Sequence, residues 1–259
     1  MELFDSHCHL ADPRLYADLE GVLARSRASG VGFIVSVGAL GSVEADRLTV
    51  AIAERCDRVF AAIAVHPHDA GACDAARIGE LRRLAACPKV VAIGETGLDF
   101  HYLKAPQEVQ ESALRAHLAL AAELGLPLVV HCRKAERRLA EIVGETGLPG
   151  RGAVAHCFTG DGAAARALLG LGFHLSFSGI VTFRDAAPVR ESLKLVPADR
   201  LLIETDAPYL APHPLRGRRN EPSYLRHTLE AAAAVRGIEP GRLAAQTREN
   251  ALRFFGLPA

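Results

Sequence analysis

Leu3-Phe4-Asp5-Ser6-His7-Cys8-His9 stands at the head of the chain, a short apolar run closing on two histidines one residue apart. In a β-strand residues i and i+2 point to the same face, so such a pair at a strand end directs two imidazoles at one point in space. Imidazole is the commonest side-chain metal ligand, and two so close need little further ordering to chelate. Two solvent-facing strand histidines would look the same in isolation. The rest of the chain decides between the two readings.

Seven more apolar runs follow the first, at residues 33–37, 59–65, 90–93 (leading into Gly94-Glu95), 128–131, 153–156, 173–177 and 201–206. Near-continuous hydrophobic runs suit parallel strands covered on both faces. Between them the pattern turns helical. Residues 107–124 are the clearest case, with Val109, Ala113, Leu120, Ala121 and Leu124 three and four apart, and with Gly125 and Pro127 beyond as stop signals. Residues 75–86, 134–145, 163–169 and 230–236 read the same way, and residues 239–255 as a terminal helix closing an outer ring. Eight strands alternating with helices predict a (β/α)8 barrel, one domain over residues 1–259. A doubly wound open sheet is the rival, but the first βα turn lacks the GxGxxG of dinucleotide binding.

Composition narrows the function classes. Thirty basic residues balance thirty acidic ones, so no global field recruits polyanions and any nucleic-acid contact must come from a local patch. Glu2 and Asp5 at the start leave no room for a basic, then apolar, secretory leader, and no run of about 18 apolar residues could span a bilayer. The six cysteines form no CxxC pattern. The expectation is a reduced, cytoplasmic, monomeric protein with no membrane contact.

Polar residues recur in one place. His7 and His9 end the first strand, His66 the third, Glu95 the fourth, His131 the fifth, His156 the sixth and Asp206 the eighth. The C-terminal strand ends of a barrel converge on one face, so residues two hundred positions apart would line one cavity. Burying that many ionisable groups is costly unless a metal shares them. Six ligands exceed the three or four protein donors of a catalytic or structural zinc, whereas two ions about 3.5–4 Å apart with a bridging carboxylate would use them all. The expected partition puts His7, His9 and Asp206 on one ion and His131 and His156 on the other, with Glu95 bridging.

The motifs that hold these residues are Asp5-Ser6-His7-Cys8-His9-Leu10, Val65-His66-Pro67-His68, Gly94-Glu95-Thr96-Gly97-Leu98-Asp99, Val130-His131-Cys132-Arg133, Ala155-His156-Cys157-Phe158-Thr159-Gly160, Glu204-Thr205-Asp206-Ala207-Pro208-Tyr209-Leu210 and Arg216-Gly217-Arg218-Arg219-Asn220-Glu221-Pro222. Together they resemble the TatD family of metal-dependent deoxyribonucleases over essentially the whole chain. The resemblance implies a TIM-like barrel, a divalent-metal site at the six ligands, and hydrolysis of DNA phosphodiesters, often as a 3′→5′ exonuclease. Attack by metal-bound hydroxide is the expected chemistry, and single-stranded or frayed ends are the expected substrate, because a neutral surface with a pocket site suits chain ends better than long duplex. Some relatives resemble D-aminoacyl-tRNA deacylases, so a tRNA ester, or the bond of a small-molecule amidohydrolase substrate, is the alternative. Residues 100–104 depart from the aromatic-and-arginine loop of relatives.

Around the ligands, further roles are expected. His66 suits a group that hydrogen-bonds phosphate or protonates the leaving oxygen, and Asp206 a general base as well as a ligand. Glu204 shares Asp206's strand parity and is expected to point inward one layer lower, as Asp5 is beneath His7, where it would either support a metal ligand or contact substrate. His68 on the rim, Arg133 if the chain has already turned, and Arg218 and Arg219 in the one dense basic cluster are the other candidate substrate contacts. Cys8, Cys132 and Cys157 alternate with ligand histidines and are expected to pack outward, and His117 to be a satisfied packing residue. Four imidazoles favour zinc, manganese or nickel, although magnesium is the ion the family resemblance brings with it.

Overall fold

The computed structural model describes residues 1–258. Eight parallel strands, β1 (Leu3–Cys8), β2 (Val31–Val37), β3 (Val59–Ile63), β4 (Val90–Asp99), β5 (Leu128–Arg133), β6 (Ala153–Ala155), β7 (His174–Phe177) and β8 (Leu201–Ile203), pair in chain order. A bridge from Cys8 to Ala207 brings the last strand back to the first. Helices between the strands, among them Val43–Arg55, Gln107–Leu124 and Glu136–Thr146, cover the outside. The architecture is the (β/α)8 barrel that the alternating pattern predicts. Gln107–Leu124 matches its expected bounds, and it stops because Gly125 takes a left-handed conformation (φ 65°) and its N–H caps the last turn.

Phe4, Val35, Ala62, Ala92, Val129, Val154 and Leu202 form one cluster with a residue from seven of the eight strands, an arrangement that only the barrel interior permits. Leu252, Phe254 and Phe255 join it, and Phe255 stacks on Phe4 with ring centroids 5.8 Å apart. This corrects one expectation: the helix Pro240–Phe255 does not simply close the outer ring, because its last turn plugs the barrel beneath the strand starts. Aromatic burial there contributes roughly 2–3 kcal/mol per ring, and it seals the end opposite to the site.

Strand parity holds for β5, β6 and β8 and fails for β1 and β4. Phe4 and Ser6 both point inward, Ser6 Oγ lying 3.1 Å from Ser176 Oγ across the interior. The pairing of β1 with β2 then slips between Asp5 and Cys8, which brings His7 inward as well. Asp5 therefore does not stack beneath His7, as alternation predicts. It accepts from Thr205 N (2.9 Å) and Thr205 Oγ1 (2.6 Å) on the neighbouring strand. β4 runs four residues past Glu95, and its pairing with β5 slips between Gly94 and Thr96, so Ala92 and Glu95 both face inward. Irregularities of this kind re-aim side chains next to active sites.

His117, fully buried on the helix Gln107–Leu124, faces Ala113 O at 2.7 Å through Nδ1 and accepts from Val65 N at 3.0 Å through Nε2. It ties that helix to the chain just before His66, the packing role expected of it. Burial pushes the imidazole down to about 4, from an ordinary value of 6.5. Between those values the unfolded chain binds the proton and the folded chain does not, so this contribution is complete above the unfolded value and is lost as pH falls towards about 4. The loss is on the order of 3 kcal/mol. Denaturant titrations from pH 7 to pH 4 should show His117→Gln with a shallower fall in stability than the wild type; parallel curves would refute the assignment.

Candidate functional site

The open end of the barrel gathers the residues singled out in sequence. Glu95 is the hub. Its Oε1 lies 2.9 Å from His131 Nδ1 and 2.7 Å from His156 Nε2, while its Oε2 lies 3.4 Å from His7 Nε2 and 3.7 Å from His9 Nε2. Asp206 Oδ1 closes the second group, 3.7 Å from His7 Nε2 and 3.5 Å from His9 Nε2. The rings of His7 and His156 stack with centroids 3.9 Å apart, so the two groups are one continuous cluster. His7, His9, Glu95 and His156 are buried, and Asp206 and His131 are partly open to the cavity.

Ring nitrogens that face each other, at 3.3 Å for His7 and His9 and 3.4 Å for His131 and His156, are what a shared cation would collect. Tetrahedral Zn–N bonds of ~2.0–2.1 Å put neighbouring ligand atoms about 3.4 Å apart. Three of the four outer nitrogens are held as a metal site requires, while His7 Nδ1 is buried without a hydrogen-bond partner among the described residues. His9 Nδ1 lies 3.0 Å from Val37 O, His131 Nε2 3.0 Å from Asp99 Oδ2 and His156 Nδ1 3.3 Å from Glu204 Oε1. A proton donated to each of those acceptors leaves the inward nitrogen with a free lone pair. The donor set thus fits divalent metal.

Comparison with known proteins agrees with this geometry. The family described as TatD related DNase matches residues 4–256. The chain belongs to that family. A relative from Bacillus subtilis (strain 168), named an uncharacterized metal-dependent hydrolase YabD, is 42% identical over 98% of both chains. The 3′-5′ ssDNA/RNA exonuclease TatD of Erwinia tasmaniensis is 40% identical, over 98% of this chain and 100% of the relative. Among solved structures, the TatD homolog YJJV from Escherichia coli K12 superposes with a TM-score of 0.93 at 28% identity, covering 99% of this chain and 98% of that one.

The electrostatics of this TatD-family site favour positive charge. Burial alone would raise the Glu95 carboxyl, but the charges of His156 and His66 and hydrogen bonds from His131 and His156 hold it well below the usual carboxylate range. For Asp206 burial is likewise outweighed, by the hydrogen bond to His9 and the charges of His7 and His156, and its pKa falls. In return, and against burial, Glu95 and Glu204 hold His156 well above the ordinary imidazole value. Cations and protons therefore compete for the same cavity.

Asp99 is the residue that sequence reasoning left without a role. Its Oδ2 faces both His131 Nε2 and His68 Nε2 at 3.0 Å, and its Oδ1 accepts from the backbone of His101 (3.0 Å) and Tyr102 (2.8 Å). One buried carboxylate so orients a ligand-type histidine, a rim histidine and the loop beyond. Its spacing of four from Glu95 along β4 was the available signal. His66 Nε2 stands 3.2 Å from Glu95 Oε1, at the edge of the cluster on the His131 side.

The expected substrate contacts separate. Glu204 is fully buried beside His156, its Oε1 accepting from Cys157 N at 2.7 Å and lying 3.3 Å from His156 Nδ1, a position that suits support of that histidine. Its inward parity below Asp206 puts it there. Arg219 is spent within the fold: it donates to Arg14 O at 2.7 Å and to Glu221 Oε2 at 3.3 Å, stitching the loop after β8 to the loop after β1. Arg218 is exposed and, among the described residues, its side chain makes no hydrogen bond or ion pair. Arg133 is exposed with its guanidinium 4.9 Å from the Tyr102 ring. Cys8 and Cys132 pack in the outer core, and Cys157 Sγ lies 3.1 Å from Ser178 Oγ.

Proposed function

We propose that the chain is a two-metal phosphodiesterase that removes nucleotides from the 3′ ends of single-stranded DNA or RNA. The observation that carries this reading is Glu95, with one carboxylate oxygen turned to His7 and His9 and the other to His131 and His156. Two divalent ions bound there would polarise the phosphoryl oxygens and acidify water. Manganese, zinc or nickel fits the nitrogen-rich donor set better than magnesium.

The chain's own residues do the rest. His7, His9 and Asp206 would hold one ion and His131 and His156 the other, with Glu95 shared between them. Asp206 Oδ1, on the open side of the cluster, is placed to take the proton of the attacking water. His66 donates through Nε2 towards the leaving oxygen. Asp99 keeps His131 in the tautomer with Nδ1 free, and His68 on the rim meets the substrate backbone. Arg133, unpaired with any carboxylate among the described residues, offers its N–H edge to a phosphate. A cluster sunk at the end of a barrel admits a chain end or splayed strand more readily than an unbroken duplex, and the protein's net charge of zero provides no long-range hold on duplex DNA.

The whole barrel is the working unit, since the site needs side chains from residue 7 to residue 206. Among the described residues no helix is long and apolar enough to cross a membrane. A cytoplasmic monomer, with its six cysteines free, is the state in which we place this activity. The test is a side-by-side assay of metal-reconstituted protein on 3′-labelled single-stranded DNA, RNA and D-aminoacyl-tRNA. Stepwise loss of 3′ nucleotides is expected; tRNA deacylation without nucleotide release would overturn the reading.

A further inference from the structure

Four of the six exposed large apolar side chains among the described residues, Tyr16 at the end of the short helix Pro13–Tyr16 and Tyr102, Leu103 and Tyr209 on loops, lie on the segments that follow β1, β4 and β8 at the open end. Two of these tyrosines carry a guanidinium against the ring. Arg133 Cζ is 4.9 Å from the Tyr102 centroid and Arg14 Cζ is 4.4 Å from the Tyr209 centroid. Each ring also abuts a histidine of the site, Tyr102 against His68 (5.7 Å) and Tyr209 against His9 (5.9 Å), both edge to face. The topology puts them on opposite sides of the metal cluster. Tyr102 and Arg133 belong to the β4–β5 side, Tyr209 and Arg14 to the β8–β1 side, half a barrel away.

We infer that Tyr102 backed by Arg133, and Tyr209 backed by Arg14, are the stacking surfaces for the two nucleobases flanking the scissile phosphodiester. The assignment rests on the nuclease reading given above. Tyr102 and Tyr209 are 53% and 42% exposed, so a face of each ring is open to a ligand. A flat face with a cation beside it suits a base, because every base has a π-face and its backbone carries the opposite charge. Arg14 is held in place by Asp12, which accepts from its Nε at 2.9 Å and its Nη2 at 2.7 Å, and Tyr209 donates to the same carboxylate at 3.4 Å. That platform is ordered before substrate arrives, which limits the entropy lost on binding. Stacking is indifferent to base identity and to sugar type, so it would accept DNA and RNA alike.

The experiment crosses protein variants with base deletions in the substrate. Tyr102→Ala and Tyr209→Ala should each lower kcat/KM on 3′ single-stranded ends roughly ten- to hundredfold, mostly through KM, and the Phe variants should restore it. An oligonucleotide made abasic at the terminal or penultimate position should cost the wild type a similar factor. Each Ala variant should then lose little more on the matching abasic substrate, the non-additivity that marks a direct pair. In a binding assay free of turnover, 2-aminopurine at either position of a phosphorothioate-ended oligonucleotide should be quenched by wild type and Phe variants and not by the matching Ala variant. Equal wild-type cleavage of intact and abasic ends, or Ala variants that lose the same factor on both, would overturn the stacking assignment alone. A wild type that cleaves no oligonucleotide would overturn the nuclease reading, and this assignment with it.

Discussion

Glu95→Gln is expected to empty the metal site and lower kcat/KM on 3′-labelled single-stranded DNA by at least about a thousandfold, several kcal/mol of transition-state stabilisation. The substitution keeps size and shape, so packing is not what changes. The wild-type carboxylate presents an anionic oxygen to each side, with imidazole nitrogens of His131 and His156 within 2.9 Å of one and that of His7 within 3.4 Å of the other. An amide can accept on one side only. Its NH2 group would donate to an imidazole lone pair on the other side and so take it from a cation, and one of the two carboxylate charges among the six proposed ligands would be gone. Elemental analysis of the purified variant should show metal reduced at both proposed positions, because the proposed bridge would serve both. Full metal loading with full turnover would remove Glu95 from the centre of the proposal. Loss of turnover with both ions retained would leave it a catalytic role and deny it the bridging one.

Gly97→Ala should damage the same site through the backbone, at a cost of about 3 kcal/mol or more in stability. Gly97 sits opposite His131 in the β4–β5 pairing, at φ 144°, and a methyl group there would lie 1.9 Å from the His131 carbonyl oxygen. That atom belongs to the strand carrying a proposed ligand and cannot move aside without taking His131 with it. Gly79→Ala is the control: it lies inside the helix Ala75–Leu84 with nothing within 4 Å, and should raise stability by up to about 1 kcal/mol. Denaturant midpoints moving in opposite directions, with metal lost only in the first variant, are the expected pair of results. A Gly97→Ala protein as stable and metal-replete as the wild type would show that β4 and β5 are not in such close contact.

Some of this was legible in residue order and some was not, and the division is physical. Barrel class, strand sequence and the six converging side chains followed from local patterns: apolar runs at regular intervals, each ending in a group that is costly to bury. The inward aim of His131, His156 and Asp206 also matches simple alternation, although His156 and Asp206 lie just past the ends of β6 and β8 and Asp206 has φ 56°. His7 and Glu95 do not match it. Each reaches the interior only because its strand breaks register with a neighbour, a property of two strands together. The fate of the charged groups was equally nonlocal. Arg219 looked free in a basic run, but its partner is the carbonyl of Arg14, 205 residues away. For Glu204 the sequence leaves support of a ligand and contact with substrate both open, and its burial beside His156, just past β8, favours the first. Sequence by itself determined which chemistry the chain carries, since donor types and strand periodicity are written residue by residue. Tertiary structure alone decided which donors face one another, which carboxylates orient them and which arginines remain free, because those outcomes depend on distances across a closed barrel.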